Sequence, residues 1–96
     1  MSDHSSALSG EWTIHSIAQH RESVLPLLDM GTTEVDVSGI TELDSAGLQL
    51  LLALQRGLAR RGLELRLHPL SSSVREVLNL YGLDATLHPG AHEEQR

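Results

Sequence analysis

Apolar and polar positions alternate over some stretches of this chain and recur at helical spacing over others. Glu11-Trp12-Thr13-Ile14-His15 alternates as a half-buried strand does, and Leu8-Ser9-Gly10 before it predicts a short strand and turn. From Ile17 to Met30 the spacing is helical, with Ala18, Val24, Leu25 and Leu28 as core positions and Gly31 as the stop. Pro26 falls inside that segment. Proline in a helix interior costs about 3 kcal/mol, so a break or kink is expected there. Val35 and Val37 mark a second strand, bounded by Gly39. A leucine-dense helix then runs from about Ala46 to Arg61, stopped by Gly62.

Leu63, Leu65 and Leu67 alternate with Glu64 and Arg66 in a third strand, ended by Pro69. In the next helix Ser73 and Glu76 have the spacing of a capping box, Val74, Val77, Leu78 and Tyr81 share a face, and Gly82 closes it. A last strand is expected from about Ala85 to His88. Strands alternating with helices predict an α/β sandwich with a partly parallel sheet. The polar ends, residues 1–6 and 90–96, read as flexible termini around one domain at 7–89.

Asp44-Ser45-Ala46-Gly47 stands at the junction of the second strand and the leucine-dense helix. A serine there can cap the helix by accepting an N–H bond on its hydroxyl. The same place favours negative charge, so a phosphate on Ser45 would meet orphan N–H groups and the positive end of the helix dipole. A cap and a switch both fit these four residues. Along the helix, Leu48, Leu51, Leu52, Leu54, Leu58 and Ala59 form a broad apolar arc that Leu50 widens. Packing on one sheet needs a stripe of about 100° or a little more. The excess suits either a partner-facing patch near Ser45 or a helix wedged between sheet and neighbouring helices.

With 96 residues the chain has room for one core but little for a deep enclosed active site. One Trp, one Tyr and no Phe leave no aromatic platform for stacking bases. A net charge of −6 makes nucleic acid and anionic lipid poor partners. Arg56, Arg60, Arg61 and Arg66 form a basic cluster, read as a solvated helix end. Without Cys there are no disulfides or thiolate metal sites. The histidines at 4, 15, 20, 68, 88 and 92 show no zinc-like spacing, so no metal and no cofactor is expected. Residues 1–9 lack the features of a signal peptide, and the apolar run 48–54 is too short to cross a bilayer, so a cytoplasmic protein without membrane insertion is expected. Ser45 lies outside any Gly-x-Ser-x-Gly elbow and no His has a reason to approach it, so the chain is not expected to be an enzyme.

Four stretches in order, Leu8–Ile14, Val35–Gly39, Leu43–Leu48 and Val74–Leu78, give the chain a likeness to a known family. It resembles the STAS domain of bacterial anti-sigma-factor antagonists over about residues 7–88. The resemblance implies a four- to five-stranded mixed sheet with helices packed mainly on one face. It implies that Ser45 is phosphorylated by an anti-sigma factor with a histidine-kinase-like ATPase fold. The unphosphorylated form then binds that factor, phosphorylation releases it, and a PP2C-type phosphatase restores it. Asp44 would orient the phosphoacceptor, and Gly47 would let the partner backbone come close. Thr41, Glu42, Ala46, Leu48 and Leu50 complete the implied partner surface.

Similar STAS subunits bind the ATPase of bacterial lipid-transport ABC systems as permanent adaptors, with Ser45 then only a cap. Others are components of chemotaxis-type signalling clusters. Two departures from the family pattern are Pro26 and the short chain left after residue 88.

Overall fold

The computed structural model describes residues 5–87. Along them run β1 (Ser5–Trp12), α1 (Ile17–Met30), β2 (Glu34–Leu43), α2 (Ser45–Arg60), β3 (Arg66–Leu70), α3 (Ser72–Tyr81) and a helical turn, α4 (Asp84–Leu87). Among the described residues the sheet has three strands in the order β1-β2-β3, and both pairings are parallel. The α/β class stands; the described residues show three parallel strands, and the expected four to five mixed strands are not confirmed among them. The strand expected from about Ala85 to His88 is, as far as Leu87, part of the helical turn α4: Thr86 and Leu87 donate back to the Leu83 carbonyl, and Leu87 is fully buried. His88 lies outside the described residues.

The central strand shows how sequence phase becomes packing. Val35, Val37 and Ile40 are buried, which puts two exposed residues, Ser38 and Gly39, between the last two. The pairing with β1 shifts there and again before Glu42, each time with one extra residue on the β2 side. Asp36 holds the first bulge, accepting from the Ser38 N–H at 2.8 Å and from its hydroxyl at 2.6 Å. Gly39 therefore marks an irregularity inside the strand, not its end; a Cβ at 39 would lie 2.9 Å from the Ser9 Cβ. β3 likewise runs through Pro69, joined to His68 by a cis peptide bond. It lies at an edge, where a residue without an N–H is tolerated. It begins at Arg66, with Leu65 buried just before it.

Helix α1 has the expected bounds and does not break at Pro26. Glu22, Ser23, Leu25 and Pro26 all lie exposed, so water can take up the carbonyl that proline leaves unpaired. Its core stripe is Val24 and Leu27 with half-buried Leu28; Ala18 and Leu25, seven residues apart, share an outward face. Gly31 ends it in the left-handed region, φ 68°. In α3 the cap is Ser71, which accepts from the Val74 N–H at 3.1 Å. Ser73, expected in that role, instead donates to the Thr41 carbonyl at 2.8 Å and ties α3 to the second bulge of β2. Val74 and Leu78 are buried and Val77 half-buried, whereas Tyr81 is exposed. Buried residues of every element join in one largely aliphatic core that includes Trp12.

Candidate functional site

The parallel strands β1 and β2 end together, with Trp12 opposite Leu43. From this edge the chain turns into α1 through 13–16 and into α2 through Asp44. Asp44 ties the two exits. Its main chain is extended, and one carboxylate oxygen accepts from the N–H groups of Ala46 at 2.9 Å and Gly47 at 3.1 Å. The other accepts from the Ile14 N–H at 3.0 Å, while the Asp44 N–H donates to the Trp12 carbonyl at 3.2 Å. The Ile14 bond is the largest cause holding the Asp44 carboxyl below the usual carboxylate range. Partial desolvation opposes it, and the Gly47 and Ala46 N–H groups and nearby His15 add to it.

Asp44 is thus the cap of α2, and Ser45, expected as a possible cap, is the first helical residue. Ser45 is exposed, and its hydroxyl makes no hydrogen bond to a described residue. The N–H groups of Ala46 and Gly47 are already taken, so a phosphate on Ser45 would not find them vacant. Gly47 is buried, and its bare Cα faces this chain's own backbone: a Cβ would lie 2.1 Å from the Trp12 carbonyl oxygen. Leu48 is also buried, packed into the core. Around the exposed serine, Thr41 and Glu42 are exposed, and Ala46 and Leu50 are half-buried. Leu48, Leu51, Leu54 and Leu58 are buried on α2, and Leu52 is half-buried.

The turn into α1 is built by its own side chains. The Ser16 hydroxyl accepts from the Thr13 N–H at 3.2 Å and donates to the Glu11 carbonyl at 2.6 Å. The Ser16 N–H donates to the Thr13 carbonyl at 2.9 Å, and the His15 N–H to the Thr13 hydroxyl at 3.3 Å. Thr13, Ile14 and His15 therefore belong to a turn, not to a strand, and Ile14 points to solvent at 64% exposure. Sequence alternation assigned Ile14 to a strand. The signal that finds it is Thr13 followed three residues later by Ser16, immediately before the helix at Ile17.

Depression of the Asp44 pKa gives a signed prediction. A carboxyl whose folded pKa lies below its unfolded value, about 3.9, adds stability above that value and loses it as pH falls through the folded pKa. Asn at 44 keeps one acceptor oxygen but turns an NH2 group toward the other donor, so it cannot serve Ile14 and the helix together. Asp44→Asn should melt several degrees below the native protein at pH 7. The gap should close as pH drops below about 4 in paired thermal melts. A gap that stayed constant with pH would assign the loss to shape alone.

Other candidates from the sequence do not converge here. His20 stacks on Trp12 with ring centres 4.2 Å apart, and its Nε2 lies 2.7 Å from the Glu11 carbonyl. Arg61 donates to the Leu28 carbonyl at the end of α1. Among the described residues no three of His, Asp and Glu gather as a metal site would require, and no helix is long and apolar enough to cross a membrane. His4 and His92 lie outside the described residues.

A family model described as "Mlab, STAS domain" matches residues 4–89. The chain belongs to the STAS domain family. No curated protein matches it. Among solved structures, this STAS domain is similar to the anti-sigma-factor antagonist SpoIIAA in its unphosphorylated form. Identity is 25% and the TM-score 0.67, over 99% of this chain and 88% of that one.

Proposed function

We propose that this STAS domain is a signalling protein of the anti-sigma-factor antagonist type. Its unphosphorylated form binds an anti-sigma factor with a histidine-kinase-like ATPase fold in the bacterial cytoplasm. That partner transfers the γ-phosphoryl group of ATP to the Ser45 oxygen; ADP leaves, the hydroxyl proton passes to a base on the kinase, and the complex separates. A PP2C-type phosphatase hydrolyses the ester. The chain is a binding module and not an enzyme, and through the released sigma factor it regulates transcription. The carrying observation is the exposed Ser45 hydroxyl at the start of α2, which makes no hydrogen bond to a described residue. Likeness to SpoIIAA over nearly the whole chain supports it.

The partner surface consists of exposed Thr41, Glu42 and Ser45 with the accessible parts of Asp44, Ala46 and Leu50. Gly47 and Leu48 act from beneath, fixing where that surface stands. Incubation with the anti-sigma kinases of its own genome and ATP, followed by mass spectrometry, should find one phosphate on Ser45 and none in Ser45→Ala. Phosphate elsewhere, or none with any such kinase, refutes the switch.

A second reading, a constitutive adaptor on the ATPase of a lipid-transport ABC system, is favoured by the occupied helix cap. Asp44 already takes two of the N–H groups a phosphate would use. Under that reading Ser45→Asp leaves binding of the ABC ATPase unchanged.

A further inference from the structure

Ile14 is a large apolar side chain left in solvent, yet its backbone sits in a hydrogen-bonded turn. Its N–H is fixed by Asp44 at 3.0 Å, and both neighbouring residues are tied to Thr13 or Ser16. A flexible exposed isoleucine is ordinary, but a pre-organised one spares a complex the cost of ordering it. The carboxylate that holds it also caps the helix that carries Ser45. The adjacent strand ends add charge. Glu11 and Glu42 are directly paired in the ladder, both exposed, and like charges so placed weaken a sheet. A cationic partner surface relieves that repulsion.

We propose that Ile14 is an apolar anchor of the Ser45 partner surface, held in register by Asp44 as a positioning residue. The occupant is a protein presenting an apolar socket with an Arg or Lys rim that meets Glu11 and Glu42. This inference rests on the Ser45 reading, whose interface it extends onto the turn before α1. Burying one isoleucine is worth roughly tenfold to a hundredfold in affinity.

Binding of the purified kinase used in the phosphorylation assay tests it. Ile14→Ser should weaken binding at least about tenfold at an unchanged melting midpoint. Leu25→Ser, an equally exposed position on α1, should stay within about twofold of the native protein. If Ile14→Ser binds normally while Ser45→Asp does not, the anchor falls and the switch stands; if both bind normally, both fall. Amide exchange in Asp44→Ala needs no partner. The Ile14 N–H should exchange at least about tenfold faster while amides in the middle of α2 keep their protection. An unchanged Ile14 rate would remove Asp44 from the positioning role.

Discussion

Gly47→Ala should lower the melting midpoint by more than about 10 °C, whereas Gly57→Ala, ten residues further along the same helix, should leave it level or slightly raised. Both glycines lie within α2, where replacing Gly by Ala ordinarily gains about 1 kcal/mol of helix propensity. At 57 the new methyl meets only the Leu28 side chain, its Cδ1 at 2.9 Å, and a half-buried leucine tip can turn aside. At 47 it meets backbone: the Trp12 carbonyl oxygen at 2.1 Å and carbon at 2.9 Å, with the Leu43 Cδ1 at 2.8 Å. Backbone inside a parallel pair cannot move without dragging β1, and Trp12 is itself fully buried. Overpacking of this kind costs about 1–3 kcal/mol and here lies at or above the top of that range. With about 4–8 °C per kcal/mol for a domain of this size, the propensity gain is overwhelmed. Differential scanning calorimetry of the two variants reads the contrast, and equal midpoints would show that α2 does not press on the end of β1 as described.

That contact explains why the site was only half legible in the sequence. The position of Ser45 at a strand-to-helix junction follows from local signals: the Val35–Val37 alternation, the leucine period, and Asp-Ser as capping types. Helix α1 was legible for the same reason, down to its last residue and its glycine stop. What makes Asp44 a strut and Gly47 obligatory is the neighbourhood of Trp12 and Ile14, some thirty residues earlier, and local patterning carries no record of a contact at that separation. Glycine and proline read as strand terminators in a sequence, yet they do not end these strands. In β2 and β3 they sit inside strands, at a bulge and at an edge, where the pairing geometry accommodates them. The stretch from about Ala85 reads as a short strand, but Leu83 at the foot of α3 offers its carbonyl to Thr86 and Leu87, so the chain coils there instead. Neither Ser45 nor Ser73 caps its helix; in each case the residue one or two positions earlier holds it. Serine-rich junctions leave that choice to tertiary contacts such as the Ser73–Thr41 bond.

Phosphoserine at 45 should weaken binding of the anti-sigma kinase by one to three decades while leaving the fold intact. The added group carries about −1.5 to −2 charges. It enters beside Asp44, whose carboxylate is held ionised by its three N–H donors, and on a face that also carries Glu42. Because those donors are engaged, the helix end offsets less of the new charge than an open N-terminus would, and the field projects toward the partner. One like charge about 4 Å from an interface carboxylate costs roughly 1 kcal/mol in water and about 4 at a partly buried surface. At about 1.4 kcal/mol per decade this spans the stated range. Stability should change little, since Ser45 is exposed and supports no packing. Calorimetric titration of the kinase with native and phosphorylated protein gives the affinities, and far-ultraviolet dichroism checks the fold. If repulsion is the cause, raising the salt from about 0.05 to 0.5 M should narrow the difference, because exposed charges are screened within about 4 Å at the higher value. A loss of binding accompanied by unfolding of α2 would instead mean that phosphate displaces Asp44 from its cap, and the switch would then work through melting and not through charge.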